Sequence, residues 1–168
     1  KVNVGFVATG QIGITITGKG IPLDAFKVDH ACGAVEQVVM EQADKEIVLI
    51  EGQGSLLHPG STATLPLMRG SCPTHLILCL RAEKTTLRSP EHIKIPDLNN
   101  FIALNESLAT VGGTFPKAKV IGIAANTSML SLEDAEIYLK KTAEKTGILV
   151  TDPVRFGIDS IGKHIASS

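Results

Sequence analysis

Five short apolar runs constrain the fold of this chain more than any other feature of its sequence. Their apolar residues are continuous rather than alternating, which is typical of strands covered on both faces of a parallel sheet. Segments with helical periodicity or capping residues lie between the runs. This alternation predicts an α/β fold, a three-layer αβα arrangement with a mainly parallel sheet. The runs are Val2–Ala8, Ile47–Ile50, Leu76–Leu80, Val120–Ala125 and Ile148–Val150.

Helices are predicted from capping residues and from the spacing of apolar positions. Residues 56–73 and 81–96 are predicted to form loops that are longer than simple connectors. Such long loops are candidate site or interface elements. The predicted helices run from Asp29 to about Ala43, from Asp97 through Leu108, from Ser131 to Gly147, and from Gly157 to Ala166.

The length of 168 residues is enough for one domain with a substantial core. The chain is 43% hydrophobic and 20% charged, as expected of a globular protein, and no linker or internal repeat divides it. We therefore predict a single α/β domain over residues 1–168. Val2 already lies inside the first apolar run, so we expect this domain to be the C-terminal part of a longer protein.

Charge and cysteine content narrow the class of partner. The 16 basic and 17 acidic residues give a net charge of −1 with no basic stripe, which argues against a general nucleic-acid surface. No apolar run approaches the roughly 20 residues that span a bilayer, and no signal peptide is visible. Cys32, Cys72 and Cys79 have no metal-like spacing, and they are predicted to be reduced core residues of a cytoplasmic protein that acts on a small molecule.

The stretch that follows the second apolar run carries the densest chemical signal. Ile50 is followed at once by Glu51-Gly52-Gln53-Gly54 and then by His58. Ligands of open parallel sheets bind just outside the carboxyl ends of the strands, so Glu51 is predicted to line that crevice. The glycines let the backbone turn sharply and approach a ligand. The alternative is a glycine-rich turn with an exposed acid.

Polar residues also follow three other predicted strands. Thr9, Gly10 and Gln11 come directly after the first, and Asn126 ends the fourth. An asparagine side chain suits recognition of a purine or amide edge, whereas Thr9–Gln11 can equally form an ordinary turn.

The last predicted strand is followed by Asp152 and Arg155. Arg155 can bind a carboxylate or phosphate with two donors, so both residues are candidates for substrate binding. The alternative is that Asp152 and Arg155 pair with each other and fix a turn.

Three further features of the sequence bear on function. Gly13-Ile-Thr-Ile-Thr-Gly-Lys-Gly20 resembles a phosphate-binding loop but lacks the magnesium-binding hydroxyl, and its Ile14–Thr17 segment is predicted to be extended rather than helical. The histidines show no zinc spacing, and only His58 is a catalytic candidate. Asp29 is predicted to be a helix cap, and a role for Asp24 or Asp29 near a metal or substrate stays open.

Four segments together resemble the C-terminal domain of the D-glutamate N-acetyltransferase-like family, formerly a domain of unknown function. They are Phe6–Gly13, Asp29 with Gly33–Glu36, Glu51–Pro59 and Thr151–Gly157, and they keep the family's order over nearly the whole chain. A looser similarity extends to dethiobiotin synthetase and related P-loop proteins, in which a strand ends in Glu-Gly-x-Gly.

The resemblance implies a P-loop NTPase-like fold with Glu51 near the magnesium or phosphate position and Asn126 near the base-recognition position. It implies transfer of an acetyl group from acetyl-CoA to the amine of D-glutamate. The family's first strand and phosphate loop are expected upstream of this chain, with a separate N-terminal domain. That N-terminal region of the same protein is therefore an expected partner, and a homo-oligomer is also expected.

The amine of an amino acid must lose a proton before it attacks a thioester, so the acetyltransferase hypothesis needs a base, for which Glu51 and His58 are the candidates. Thr9, Gly10, Gln11, Gly52, Gln53, Gly54 and Asn126 are predicted to bind the cofactor, acetyl-CoA or ATP. One alternative is an ATP- and magnesium-dependent ligase or kinase in which Glu51 holds the metal. Another is a nucleotide-binding module without chemistry.

Overall fold

The computed structural model describes residues 2–167, and it divides into two compact units. Unit 1 is Lys1–Cys72 and unit 2 is Pro73–Ser168. Each unit is an alternation of parallel strands and helices, as the continuous apolar runs predicted. That residues 1–168 form one domain stays a prediction.

Unit 1 contains a two-stranded parallel sheet. The strands β1 (Val4–Val7) and β2 (Ile47–Ile50) pair in register from Val4 opposite Ile47 to Val7 opposite Ile50. Both lie where apolar runs predicted them. Its remaining elements are α1 (Gln11–Thr17), a short 3₁₀ helix (Leu23–Ala25), α2 (Val28–Met40) and α3 (Thr64–Ser71).

The core of unit 1 joins the helices to the carboxyl end of β2. Leu23, Ala31, Val35, Ala63 and Leu67 are its buried members, with Ile21, Val39 and Ile50 packed against them. Gly70 of α3 lies against the backbone of Cys32 and the side chain of Val35, where a Cβ atom would overlap with α2. A glycine is therefore required for this close approach of the two helices.

Unit 2 contains a three-stranded parallel sheet in the order β3-β4-β5. Its core is formed by Ile102, Val120 and Ile123, with partly buried leucines, isoleucine and valine packed around them. Its elements are β3 (His75–Arg81), α4 (Leu98–Ala109), a short 3₁₀ helix (Val111–Gly113), β4 (Lys119–Asn126), α5 (Leu132–Thr146), β5 (Leu149–Thr151) and α6 (Asp159–Ser167).

Side-chain caps were predicted correctly where the capping group lies next to the helix in sequence. The Asp97 carboxylate accepts a hydrogen bond from the backbone N–H of Asn99, and Ser131 Oγ accepts one from that of Asp134. Gly147 ends α5 in the left-handed conformation, as predicted. The final helix begins at Asp159, two residues later than expected.

Three predictions about helices in unit 1 were wrong. Residues 14–17 are not extended but belong to α1, because Gly10 and Gly18 bound the helix and the hydroxyls of Thr15 and Thr17 donate to backbone carbonyls four residues earlier. Asp29 is not the cap of α2, which follows Lys27 and places Asp29 in its first turn. The helix ends at Met40 rather than near Ala43.

The long loop predicted over residues 56–73 contains α3, which the polar and glycine-rich flanks concealed. Cys32, Cys72 and Cys79 are free but exposed, so their predicted place in the core was wrong. Cys32 follows the buried Ala31, and one residue turns a helix by about 100° away from the core. Among residues 2–167, no helix has the length and apolar character needed to cross a bilayer.

Candidate functional site

The Glu51 carboxylate links the carboxyl ends of β1 and β2. Its Oε2 atom accepts hydrogen bonds from the backbone N–H groups of Thr9 and Gly10, both at 2.9 Å. The Glu51 backbone N–H donates to the carbonyl of Val7, which continues the parallel ladder to the end of the strand. The predicted position of Glu51 at a strand end therefore fixes the turn that follows β1.

Thr9 and Gly13 shape the surroundings of this carboxylate. The Thr9 side chain is fully buried, and its Oγ1 donates to the backbone carbonyl of Glu51 at 2.9 Å. A Cβ atom at Gly13 would overlap with the Glu51 carboxylate, so the first turn of α1 and this side chain can be adjacent only with glycine there. Thr9 thus holds the two strand ends together, and Gly10 and Gln11 rather than Thr9 face the neighbouring cavity.

The segment after Glu51 folds back on itself through hydroxyl groups. Ser61 Oγ accepts a hydrogen bond from the Ser55 backbone N–H at 3.0 Å, and Thr64 Oγ1 donates to the Gln53 carbonyl at 3.1 Å. Gly54 has a positive φ of 73°, and a Cβ atom there would overlap with the Ser61 hydroxyl. Glycine is needed at position 54 because it tolerates the positive φ and because it leaves room for the Ser61 hydroxyl.

The neutral tautomer of His58 is indicated by a local hydrogen bond. The Gly60 backbone N–H lies 3.1 Å from His58 Nδ1, which therefore accepts. In the neutral ring the proton is then carried by Nε2. In this conformation the ring lone pair is in use, so His58 can act as a base only if its contact with Gly60 breaks.

Two cavities lie within unit 1 and share Asp24 and Gln53. The larger, about 390 Å³, is bounded by the loop after β2 and includes Gly54 and His58. The smaller, about 290 Å³, includes Glu51. Residues of the larger cavity are Asp24, Gln53, Gly54, Ser55, His58, Gly60, Ser61, Thr62 and Ala63, and those of the smaller are Gly10, Gln11, Ile12, Asp24, Glu51 and Gln53.

These cavities bring together most of the site residues predicted in unit 1. Gly10, Gln11, Glu51, Gln53, Gly54 and His58 line one or the other, whereas Gly52 lines neither. Sequence reasoning gave no role to Ser55, although it lies within the Glu51–Pro59 segment, and it did not choose Ser61 or Thr62, which no motif marks. Asp24 was noted without a role, although it belongs to both cavities. The chemical roles of all these residues stay predictions.

In unit 2 the Asp152 carboxylate occupies a comparable place after a strand but is fully engaged. Its Oδ2 accepts hydrogen bonds from the Thr127 N–H at 2.9 Å and the Thr127 hydroxyl at 2.5 Å, and its Oδ1 accepts from Val154 N and Arg155 N at 2.9 and 3.2 Å. The side chain is 3% exposed. Burial raises the pKa of Asp152, but these hydrogen bonds outweigh it, so the pKa lies below the ordinary value.

Arg155 and Asn126 are also engaged locally. The Arg155 guanidinium donates to the carbonyls of Leu130 at 2.8 Å and Ser131 at 3.2 Å. Asn126 Oδ1 accepts from the Ser128 N–H at 3.0 Å. Asp152 accepts the backbone N–H of Arg155 rather than its guanidinium, so the predicted turn is present but a side-chain ion pair is not its cause. A ligand-binding role for Asn126, Asp152 and Arg155 stays a prediction.

The donor set for a metal is sparse. Over residues 2–167 no group of three or more histidine, cysteine or acidic side chains is placed to hold a metal ion. Magnesium is commonly bound through one or two carboxylates together with substrate phosphates. Glu51 has one oxygen, Oε1, that accepts no hydrogen bond from a described residue, so a magnesium ion there would depend on phosphates and water for its other ligands.

Comparisons with known proteins agree with this architecture. The sequence model of a family described as a domain of unknown function, the DUF1611 C-terminal P-loop domain, matches residues 1–162. A crystal structure of a DUF1611 family protein from Anabaena variabilis superposes with a TM-score of 0.96 at 47% identity, covering 99% of this chain and 49% of that one. The predicted αβα class with parallel strands is therefore confirmed.

Two curated relatives carry a functional name. A D-glutamate N-acetyltransferase of a Pseudoalteromonas species is 36% identical over 162 residues, and one of Tritonibacter scottomollicae is 39% identical over 163. Each match covers 96% of this chain and 48% of the relative, so the chain spans about half the length of these proteins. The predicted family is thereby confirmed, and this chain belongs to the DUF1611 family as its C-terminal P-loop domain.

Proposed function

We propose that the intact protein transfers the acetyl group of acetyl-CoA to the amine of D-glutamate, with the cavities of unit 1 receiving the amine. The name shared by the two curated relatives supports this activity. The observation that carries the proposal is the charge of the cavities. Two carboxylates, Asp24 and Glu51, line the smaller one, and no lysine or arginine lines either cavity among the described residues.

A cavity of this composition favours a cation over an anion. An ammonium group has three donors and no acceptor, which matches carboxylate oxygens and the amide oxygen of Gln53. The phosphates of CoA would be repelled by the same carboxylates. The amine end of the acceptor is therefore the part of the reactants that this cavity suits, and the phosphates of CoA bind elsewhere on the intact protein.

The arrangement also supplies rigidity. Glu51 is held by two backbone N–H groups, and the loop after it is held by Ser61 and Thr64. A cavity wall that does not reorganise on binding lowers the cost of positioning the amine against the thioester carbonyl. A cytoplasmic location belongs to the same proposal, since the three free cysteines are of the kind found in a reducing compartment.

The second candidate is an ATP- and magnesium-dependent ligase or kinase, which the P-loop description of the family favours. Its magnesium would bind Glu51 Oε1 and the nucleotide phosphates. The same cavity would then have to accept phosphate groups beside Asp24, which is electrostatically unfavourable unless the metal is bound first.

The test is a direct assay of the intact protein. Acetyl-CoA and D-glutamate should give N-acetyl-D-glutamate and free CoA thiol in equal amounts, measured by mass spectrometry and by a thiol reagent. L-glutamate and glutarate serve as controls for chirality and for the amine. Turnover of ATP with magnesium, without formation of N-acetyl product, would replace this proposal with the second candidate.

A further inference from the structure

Three side chains that can accept a proton line the two cavities, and two of them are already engaged. Glu51 Oε2 accepts from the N–H groups of Thr9 and Gly10. His58 Nδ1 accepts from the Gly60 N–H. Both engagements hold the local backbone. His58 would have to give up its contact with Gly60 to take a proton on Nδ1, and a proton on Glu51, even on Oε1, would remove the negative charge that strengthens the hydrogen bonds to Oε2. The third side chain is Asp24.

Asp24 is held firmly by its backbone. It is the central residue of the 3₁₀ helix Leu23–Ala25. On its N-terminal side the Ile21 N–H donates to the Ala8 carbonyl and the Leu23 N–H to the Thr9 carbonyl, both at 3.0 Å. The Leu23 side chain is 3% exposed in the core of unit 1. The position of Asp24 is thus tied to the same strand end that Glu51 holds.

The Asp24 carboxylate itself has no protein donor. Within residues 2–167 it makes no hydrogen bond or ion pair, and the residue is exposed. It lines both the 390 Å³ and the 290 Å³ cavities, and Glu51 is the second carboxylate of the smaller one. A rigid backbone with unengaged carboxylate oxygens at the junction of two cavities is a geometry suited to a ligand cation.

We propose that Asp24 binds the ammonium group of the amino-acid acceptor and accepts the proton that its nitrogen loses during acyl transfer. This inference rests on the proposed acetyltransferase function. It assigns the base to a side chain other than the two that the strand-end motif singled out. Glu51 then holds the Thr9–Gly10 turn through Oε2 and, as the second carboxylate of the smaller cavity, contacts the ammonium group without accepting its proton.

The step balances as an ordinary aminolysis. The ammonium group first gives one proton to an Asp24 oxygen, and from there to solvent, which frees the nitrogen lone pair. The lone pair then forms a bond to the thioester carbonyl carbon, and the carbon–sulfur bond breaks with its electron pair leaving on sulfur. A second proton leaves the nitrogen by the same route, while the thiolate takes one proton from solvent, so one proton is released per turnover. No oxidant, reductant or metal is required.

The test compares charge-matched variants of the intact protein. Asp24→Asn keeps the shape of the side chain and removes its charge. Asp44→Asn removes an exposed carboxylate of the same unit that lines neither cavity. We expect kcat/KM for D-glutamate to fall about 100-fold or more in Asp24→Asn, the typical loss on removing a general base, and to stay within about two-fold in Asp44→Asn. Asp24→Glu should recover part of the activity.

Two further readouts separate a catalytic group from a structural one. The deficit of Asp24→Asn should narrow as pH rises, because a growing fraction of the amine then arrives already deprotonated. Calorimetric titration should show that the unaltered protein binds D-glutamate more tightly than glutarate, which lacks the amine, and that Asp24→Asn loses this preference.

The outcomes distinguish the two proposals. Formation of N-acetyl-D-glutamate by the unaltered protein, with normal kcat/KM and an intact preference over glutarate in Asp24→Asn, would overturn the role of Asp24 alone. Absence of product from the unaltered protein would overturn both. If Asp24→Asn melts more than a few degrees lower than the unaltered protein, the pH profile of Asp24→Glu decides whether Asp24 is the base. A profile like that of the unaltered protein supports the role of Asp24, and a profile like that of Asp24→Asn refutes it.

Discussion

Two carboxylates that follow strands, one in each unit, make a similar hydrogen bond but differ in how many of their oxygens are engaged. Glu51 and Asp152 each accept the backbone N–H of a buried threonine that follows the neighbouring strand, Thr9 in unit 1 and Thr127 in unit 2. Asp152 uses both oxygens and is almost completely buried, whereas Glu51 uses Oε2 alone and lines a cavity. The Asp152 carboxylate has both oxygens engaged in holding the fold, whereas Glu51 has one oxygen left that can face a ligand.

The largest effect is expected from removing the Asp152 carboxylate. Asp152→Ala leaves the buried Thr127 N–H and hydroxyl without an acceptor, and unsatisfied buried groups of this kind cost about 1–3 kcal/mol each. We expect a loss of roughly 3 kcal/mol in unfolding free energy. Glu51→Ala should cost about half as much, because two rather than four hydrogen bonds are lost. Thermal melting of the two variants checks the order, and an equal or reversed order would contradict the comparison.

The second-largest effect is expected from a substitution at Gly13 that displaces the Glu51 side chain without replacing it. In Gly13→Ala the new methyl group overlaps with the carboxylate, so the side chain must leave the Thr9–Gly10 turn. We expect about a ten-fold loss of acetyl transfer and a destabilisation of about 1–2 kcal/mol.

Gly33→Ala is the matched control for this prediction. Gly33 lies in α2 with no atom within 4 Å of its added Cβ, so alanine should be neutral or stabilise the helix by up to about 1 kcal/mol. Activity and melting temperature of Gly13→Ala that match those of Gly33→Ala would show that the position of Glu51 is unimportant.

The paired threonines give a smaller contrast. Thr127 Oγ1 donates to a charged carboxylate, whereas Thr9 Oγ1 donates to a neutral backbone carbonyl. Hydrogen bonds to charged groups are worth about 1.5–3 kcal/mol and neutral ones about 1 kcal/mol. Thr127→Val should therefore lower stability by more than Thr9→Val in thermal or denaturant unfolding. The prediction fails if Thr9→Val is the more damaging of the two.

The smallest expected effect is on how steeply the melting temperature falls in acid. The pKa of Asp152 is lowered in the folded protein, so this group adds stability above its unfolded value of about 3.9, and that stability is lost as pH falls through the lower folded pKa. Between pH 5 and pH 3 the melting temperature of Asp152→Asn should fall less steeply than that of the unaltered protein. Parallel curves would show that Asp152 does not contribute to acid sensitivity.

Sequence reasoning succeeded where the signal is local. Continuous apolar runs predicted the positions of all five described strands. The expected burial on both faces was wrong for β1, in which Gly5 and Val7 are buried whereas Val4 and Phe6 are exposed. The caps Asp97 and Ser131 were predictable because a side chain reaches the backbone only two or three residues away. The position of Glu51 at the end of β2 follows from the same logic.

The rest depended on hydrogen bonds within α1 that the residue types do not indicate, and on contacts between distant parts of the chain. Helix α1 was missed because its β-branched residues favour strands, whereas the hydroxyls of Thr15 and Thr17 bond back within the helix. The engagement of Glu51 with Thr9 joins residues 42 positions apart, and the place of Asp24 at two cavities depends on its anchoring to the end of β1. No sequence motif indicates the hydrogen bond between Glu51 and Thr9 or the anchoring of Asp24 to the end of β1.

Calorimetric titration of D-glutamate into the intact protein, carrying either Glu51→Gln or Asp152→Asn, tests most directly whether the two carboxylates differ in function. We predict that Glu51→Gln weakens binding by about ten-fold, the loss of one charge-assisted contact, while Asp152→Asn lowers the melting temperature and leaves affinity within about two-fold. Normal affinity in Glu51→Gln together with lost affinity in a folded Asp152→Asn would contradict the account and move the acceptor site to unit 2.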